Sequence, residues 1–83
     1  MSDSIERDVK DFILREFLPG ADADEVTPDT ELITAGILDS LATLRLVAFL
    51  EETFGITLEA YEASADHLNT VTQIGELVRS KRG

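Results

Sequence analysis

This sequence predicts an all-α fold, a small bundle of three main helices and a short one, with a long connection after the first. Three observations carry that prediction. Apolar residues recur at helical spacing in three separate stretches. Start and stop signals bracket those stretches. The one strand-like segment, Ile56-Thr57-Leu58, has no second strand to pair with, so it reads as an extended loop. The 83 residues are enough for one domain, expected to span 1–83, and a hydrophobic share of 43% is ordinary for a folded chain.

The first helix is expected from about Ser4 to Phe17. Ile5, Val9, Phe12 and Ile13 fall on one stripe, Glu6, Arg7, Lys10, Asp11 and Arg15 fill the other face, and Pro19-Gly20 ends the helix. Residues 21–38 read as an acidic connection carrying Asp22, Asp24, Glu25, Asp29 and Glu31. Within it Thr27-Pro28 suits the start of one helical turn, threonine as cap and proline at the first helical position. Leu32, Ile33, Ile37 and Leu38 are too apolar for a free linker and are expected to fold over the core. Gly36 reads as a turn residue.

The second helix is expected to start at Asp39-Ser40 and run to about Phe54. Asp39 is a good N-cap, and Gly55 a stop. Leu46, Phe49, Leu50 and Phe54 form its core stripe. Leu41, Leu44 and Ala48 form a second stripe beside Arg45, and two apolar stripes imply more than one packing partner. A short third helix is expected between Tyr61 and Leu68. Thr70-Val71-Thr72-Gln73 fits a capping box. The last helix then carries Val71, Ile74, Leu77 and Val78 on one face and ends in Arg79, Lys81 and Arg82, where positive charge suits a helix C-terminus.

Seventeen acidic against seven basic side chains give a net charge of −10. That balance argues against nucleic acid, whose phosphates need Lys and Arg, and against anionic membrane surfaces. It favours solubility and attraction to basic patches on proteins. There is no cysteine, hence no disulfide framework and no thiol nucleophile, and the single histidine, His67, excludes a His-rich metal site. No apolar run reaches the length of a membrane span, and the N-terminus shows no signal pattern. The expectation is a cytoplasmic monomer without a metal.

The segment Gly36-Ile37-Leu38-Asp39-Ser40-Leu41 is the informative one. It puts a serine in the first turn of a helix, straight after a loop. First-turn N–H groups are unpaired, the helix dipole favours negative charge there, and a hydroxyl at such a junction is open to a modifying enzyme. A phosphodiester suits that position.

Asp39-Ser40-Leu41 resembles the attachment motif of the acyl and peptidyl carrier proteins. The likeness continues through DSLATLRLVAFLEETF, which is similar to the family's second helix, and the order of elements matches over nearly the whole chain. The resemblance implies a carrier-type four-helix bundle that is not itself an enzyme. It also implies a 4′-phosphopantetheine arm on Ser40, transferred from coenzyme A by a phosphopantetheinyl transferase with magnesium. Asp39 would cap the helix and contact that magnesium. The arm's thiol would hold an acyl or aminoacyl thioester, loaded by a ligase and presented to downstream biosynthetic enzymes. Leu41, Leu44, Arg45 and Ala48 are the expected partner surface, unless the leucines pack under the loop or the third helix.

Two departures narrow the expectation. Fatty-acid carriers typically read Gly-x-Asp-Ser, whereas Gly36 stands one residue farther off, as in discrete peptidyl, D-alanyl and other aminoacyl carriers. Fatty-acid carriers also place acids soon after the serine, where this chain has Ala42 and Arg45. An arginine there turns attraction for a basic partner into repulsion. A carrier of specialised or cell-envelope metabolism is therefore expected ahead of a general fatty-acid carrier.

Other readings fare worse. A hydrolase would need a nucleophile, base and orienting group, and there is no Gly-x-Ser-x-Gly elbow. His67 is expected to be a partly exposed residue of the third helix, near the arm. A calcium loop begun at Asp22 would want glycine sixth and glutamate twelfth, where Thr27 and Ile33 stand. The remaining alternative is an unmodified acidic helical adaptor, separable from a carrier by its mass after exposure to a transferase.

Overall fold

The computed structural model describes residues 4–20, 22 and 25–82. The Met1-Ser2-Asp3 start and Asp24 of the acidic connection lie outside the described residues. Helix α1 spans Ser4–Phe17, α2 Ser40–Phe54, α3 Ala65–Leu68 and α4 Val71–Arg82, with a 3₁₀ turn at Ala60–Glu62 before α3. No strand forms among the described residues, and 56–58 is extended loop, as expected.

Each amphipathic stripe meets the core. Ile5, Val9, Phe12 and Ile13 of α1 are buried, as are Val71, Ile74, Leu77 and Val78 of α4, and these two helices pack chiefly on each other. On α2, Leu46 and Leu50 are fully buried, while Phe49 and Phe54 lie partly buried against the same cluster. Phe49 stacks on Phe12 with ring centroids 4.1 Å apart, joining α2 to α1. Each fully buried Leu or Ile contributes about 1.5–3 kcal/mol relative to exposure. The long connection completes the core: Val26, Leu32 and Leu38 are buried, with Ile33 and Ile37 packed at its edge.

One local expectation needs correction. Thr27 does not cap a helical turn. Residues 27–30 make an isolated turn in which the Thr30 N–H donates to the Thr27 carbonyl (3.1 Å) and the Thr27 N–H donates to the Thr30 hydroxyl (2.8 Å). The side chain of Thr30, rather than Thr27, accepts the backbone bond. The segment 61–68 contains the short third helix, as expected. Ser64 adopts an extended backbone (φ −146°, ψ 173°) and splits it into the 3₁₀ turn and α3. The Ser64 hydroxyl donates to the Tyr61 carbonyl (3.1 Å), and its carbonyl accepts from the N–H groups of His67 and Leu68. A serine that bonds its own backbone neighbours competes with helix continuation.

The capping box forms as read. The Gln73 N–H donates to the Thr70 hydroxyl (3.0 Å), and the Gln73 side-chain carbonyl accepts from the Thr70 N–H (3.1 Å). The same Gln73 oxygen takes the Asn69 N–H (3.0 Å), fixing the residue between α3 and α4.

Candidate functional site

Asp39 starts α2 in an extended conformation (φ −84°, ψ −172°), and its carboxylate accepts the Ala42 N–H at 2.8 Å. Its backbone carbonyl takes both the N–H of Thr43 (2.9 Å) and the Thr43 hydroxyl (2.8 Å). The N–H groups of Ser40 and Leu41 have no acceptor among the described residues. Ser40 is therefore the first helical residue, exposed, beside two unpaired donors at the positive end of a fifteen-residue helix. At the other end Gly55 takes a left-handed conformation (φ 68°) and closes the helix onto the Glu51 carbonyl.

An open cleft of about 320 Å³ adjoins the serine. Asp39, Ser40, Thr43 and Leu44 form its α2 wall, Ile33 of the long connection a second, and Ala63-Ser64 a third. The far wall is anchored. Glu62, the one charged residue buried among those described, accepts at Oε1 from the Glu59 N–H (2.8 Å) and from Lys81 Nζ of α4 (2.8 Å). The Glu59 backbone bond first, and then the Lys81 ammonium, hold the Glu62 carboxyl below the usual carboxylate range. The bond to Glu62 correspondingly raises Lys81.

The surface around the serine carries little charge. From Leu32 to Leu50 the only ionisable residues are Asp39 and Arg45. Leu41 and Leu44 are 69% and 62% exposed, so they do not pack under the loop or α3, although Leu44 borders the cleft. Ala48 is exposed too. Arg45 donates to Glu16 of α1 (2.6 Å) and lies 5.5 Å from the Phe17 ring centre, so its charge is balanced and its stem held. Thus Leu41, Leu44, Arg45 and Ala48 share one solvent-facing strip next to Ser40. His67 does not join them. It is a half-buried residue of α3, as expected, facing a separate depression with Glu62, Asp66 and Gln73, and its ring meets Tyr61 edge-on at 6.0 Å.

Sequence reading missed Ile33, Thr43, Ala63 and Ser64 as cleft walls and Glu62 as its anchor. For Thr43 a signal existed, since three residues beyond Ser40 lies the same helix face. The other walls come from distant chain segments and leave no local pattern.

A serine presented at a helix start, on a helical bundle small enough for other enzymes to surround, is the architecture of a carrier domain. Comparison with known proteins agrees. The phosphopantetheine attachment site pattern matches residues 13–78. D-alanyl carrier proteins of Streptococcus pyogenes serotype M5 (strain Manfredo) and serotype M1 are each 42% identical over 71 residues, covering 86% of this chain and 86% of theirs. The chain belongs to the phosphopantetheine-binding carrier proteins, and as a member it holds its cargo as a thioester on a covalent 4′-phosphopantetheine. The site fits that group: an exposed serine, two unpaired N–H donors for a phosphodiester, and an adjoining open cleft.

Proposed function

We propose that Ser40 is the attachment residue and that residues 1–83 act as one carrier domain that catalyses nothing itself. The observation that carries the assignment is the exposed Ser40 hydroxyl at the capped start of α2, inside the family match. On modification, the Ser40 Oγ–P bond forms, the pyrophosphate bond of coenzyme A breaks, adenosine bisphosphate leaves, and the hydroxyl proton passes to the transferase. Asp39 holds the first turn through its bond to Ala42 while its second carboxylate oxygen offers a contact to the transferase's magnesium. When bound, the arm supplies the thiol on which cargo is carried.

The cargo we propose is aminoacyl. The relatives named above carry D-alanine by name, and the exposed Arg45 stands where an acid is expected on a fatty-acid carrier. The partners are a phosphopantetheinyl transferase, an adenylating ligase and the acceptor enzymes that follow. They would meet the strip of Leu41, Leu44, Arg45 and Ala48. No described helix is long and apolar enough to cross a membrane, and we place the protein in the cytoplasm as a monomer.

Intact mass after incubation with coenzyme A, magnesium and a transferase tests the site. A gain of one phosphopantetheine unit is expected on the wild type and none on Ser40→Ala. A Ser40→Ala protein that gains the unit sinks the assignment. Adding ATP, D-alanine and a D-alanine-activating ligase should then add one alanyl unit. Loading by fatty-acyl donors alone would refute the aminoacyl reading.

A further inference from the structure

Asn69 lies in the short link between α3 and α4, yet it is bonded to the connection some thirty-five residues earlier. Its Oδ1 accepts the N–H groups of Ile33 (2.9 Å) and Thr34 (3.0 Å), and its Nδ2 donates to the Thr34 hydroxyl (3.2 Å). Its own carbonyl accepts the Leu32 N–H at 2.6 Å. One side chain and one carbonyl thus hold three consecutive residues of the connection. Asn69 is itself held from behind, because its N–H donates to Gln73 in the capping box of α4. A second tether runs parallel, from the Thr72 N–H to the Pro28 carbonyl (3.2 Å).

The chain of bonds does not stop at the connection. The Leu32 carbonyl, whose peptide neighbour is pinned to Asn69, accepts the Leu38 N–H at 2.9 Å. Leu38 is followed directly by the cap residue Asp39 and then Ser40. The turn between them is closed by the Gly36 N–H on the Ile33 carbonyl (3.1 Å), with Gly36 at φ 85°. Ile33, held by Asn69, is also a wall of the cleft. From Gln73 to Asn69, to Leu32, to Leu38 and on to Asp39-Ser40, the start of α4 is tied to the start of α2.

We infer that Asn69 is a positioning residue for the modification of Ser40, fixing the loop platform from which the serine hydroxyl and the cleft's Ile33 wall are presented. The inference rests on Ser40 as the attachment residue. It does not require Asn69 to touch the arm. The docking strip on α2 makes none of these bonds, so loss of Asn69 should disturb the hydroxyl's placement and leave partner binding intact. Misplacement of a reacting group without loss of binding lowers kcat at constant KM.

The test pairs kinetics with amide exchange on the full chain. Asn69→Ala should lower the transferase kcat about tenfold with KM for the carrier unchanged, since a displacement on the order of 1 Å has effects of that order or larger. The amides of Leu32, Ile33, Thr34 and Leu38 should lose protection while those of α1 and α4 keep theirs. Asn69→Asp keeps an acceptor for both N–H groups and should recover most of both. Should Asn69→Ala fail to fold, Asn69→Ser, which cannot span to Ile33, is read the same way. Wild-type kcat and protection in the alanine or serine variant, or a loss of protection uniform over the molecule, would overturn the inference. If the wild type is not modified at Ser40, the site assignment fails instead, and the exchange pattern, which needs no arm, still decides whether Asn69 holds the platform.

Discussion

The α1–α4 seam and the platform around Ser40 are held by different kinds of force. The seam is apolar: Ile5, Val9 and Ile13 of α1 and Ile74 and Val78 of α4 are buried in one cluster where the two helices pack, and Glu6 adds two contacts to Arg79 Nη2 at 2.6 and 2.7 Å. The platform sinks Leu32 and Leu38 into the common core, but its geometry is set by other means. It is built of backbone groups satisfied by Asn69 and Asp39, and its outer surface shows Leu41 and Leu44 to solvent. Apolar packing gives the seam stability without directional demand. Hydrogen bonds give the platform geometry while leaving that surface uncovered.

The largest effect that separates the two regions is a cavity in the seam. Ile74 is fully buried near the start of α4. Ile74→Ala should cost about 2–5 kcal/mol in denaturant unfolding, a large part of the stability of so small a domain. Whatever fraction stays folded should still be modified at the wild-type rate. A large loss of transferase kcat in folded Ile74→Ala would mean that the regions are not separable.

Next comes the uncovered surface. Leu44→Asp removes no buried contact of consequence, so unfolding should shift by less than about 0.5 kcal/mol. It should raise the KM of a docking transferase or ligase by about tenfold or more, as expected when an apolar anchor is lost from an interface. Because the 32–50 segment carries only Asp39 and Arg45, the wild-type KM should also change little with salt, despite a net charge of −10. A KM rising steeply with ionic strength would place docking on the acidic faces instead.

A smaller effect tests the cap that joins the platform to α2. Asp39→Ala leaves the Ala42 N–H without its acceptor and should cost about 1 kcal/mol. Asp39→Asn keeps the cap and should lose only a few tenths of a kcal/mol by thermal unfolding. Comparing the two variants for their magnesium requirement separates the capping role from contact with the ion. If the asparagine variant needs no more magnesium than wild type, Asp39 is a cap alone.

How much of this was legible in the sequence follows the same division. The seam could be read because its determinants are local: a 3.6-residue apolar stripe and a Thr-x-x-Gln capping box report their own helices. So could the start of α2, where Asp39, Ser40 and Gly55 act within their own helix. The platform's other supports could not. Asn69 reads as a polar residue between two helices, and its bonds to Ile33 and Thr34 span 36 and 35 residues. Glu62 reads as one more acid in an acidic chain, and its burial depends on Lys81 nineteen residues later. The split of 61–68 turned on Ser64 bonding back to Tyr61, a local choice that apolar periodicity does not report.

Glu62 gives the smallest effect and the one most specific to the platform. Its carboxyl is held below the usual carboxylate range, by the Glu59 N–H first and then by Lys81. A group with a depressed folded value adds stability above its unfolded value and loses it as pH falls through the folded one. The contribution of Glu62 should therefore be complete above about pH 4.3, the ordinary glutamate value, and fade below it. Lys81, raised by the same bond, adds stability below its ordinary value, and that part is lost as pH rises through its folded value. Glu62→Gln should flatten the acid limb of stability against pH and lower the plateau slightly. In amide exchange its effect should centre on residues 59–64, the far wall of the cleft, with the α1–α4 seam unaltered. An acid limb identical in wild type and Glu62→Gln would show that acid sensitivity arises elsewhere.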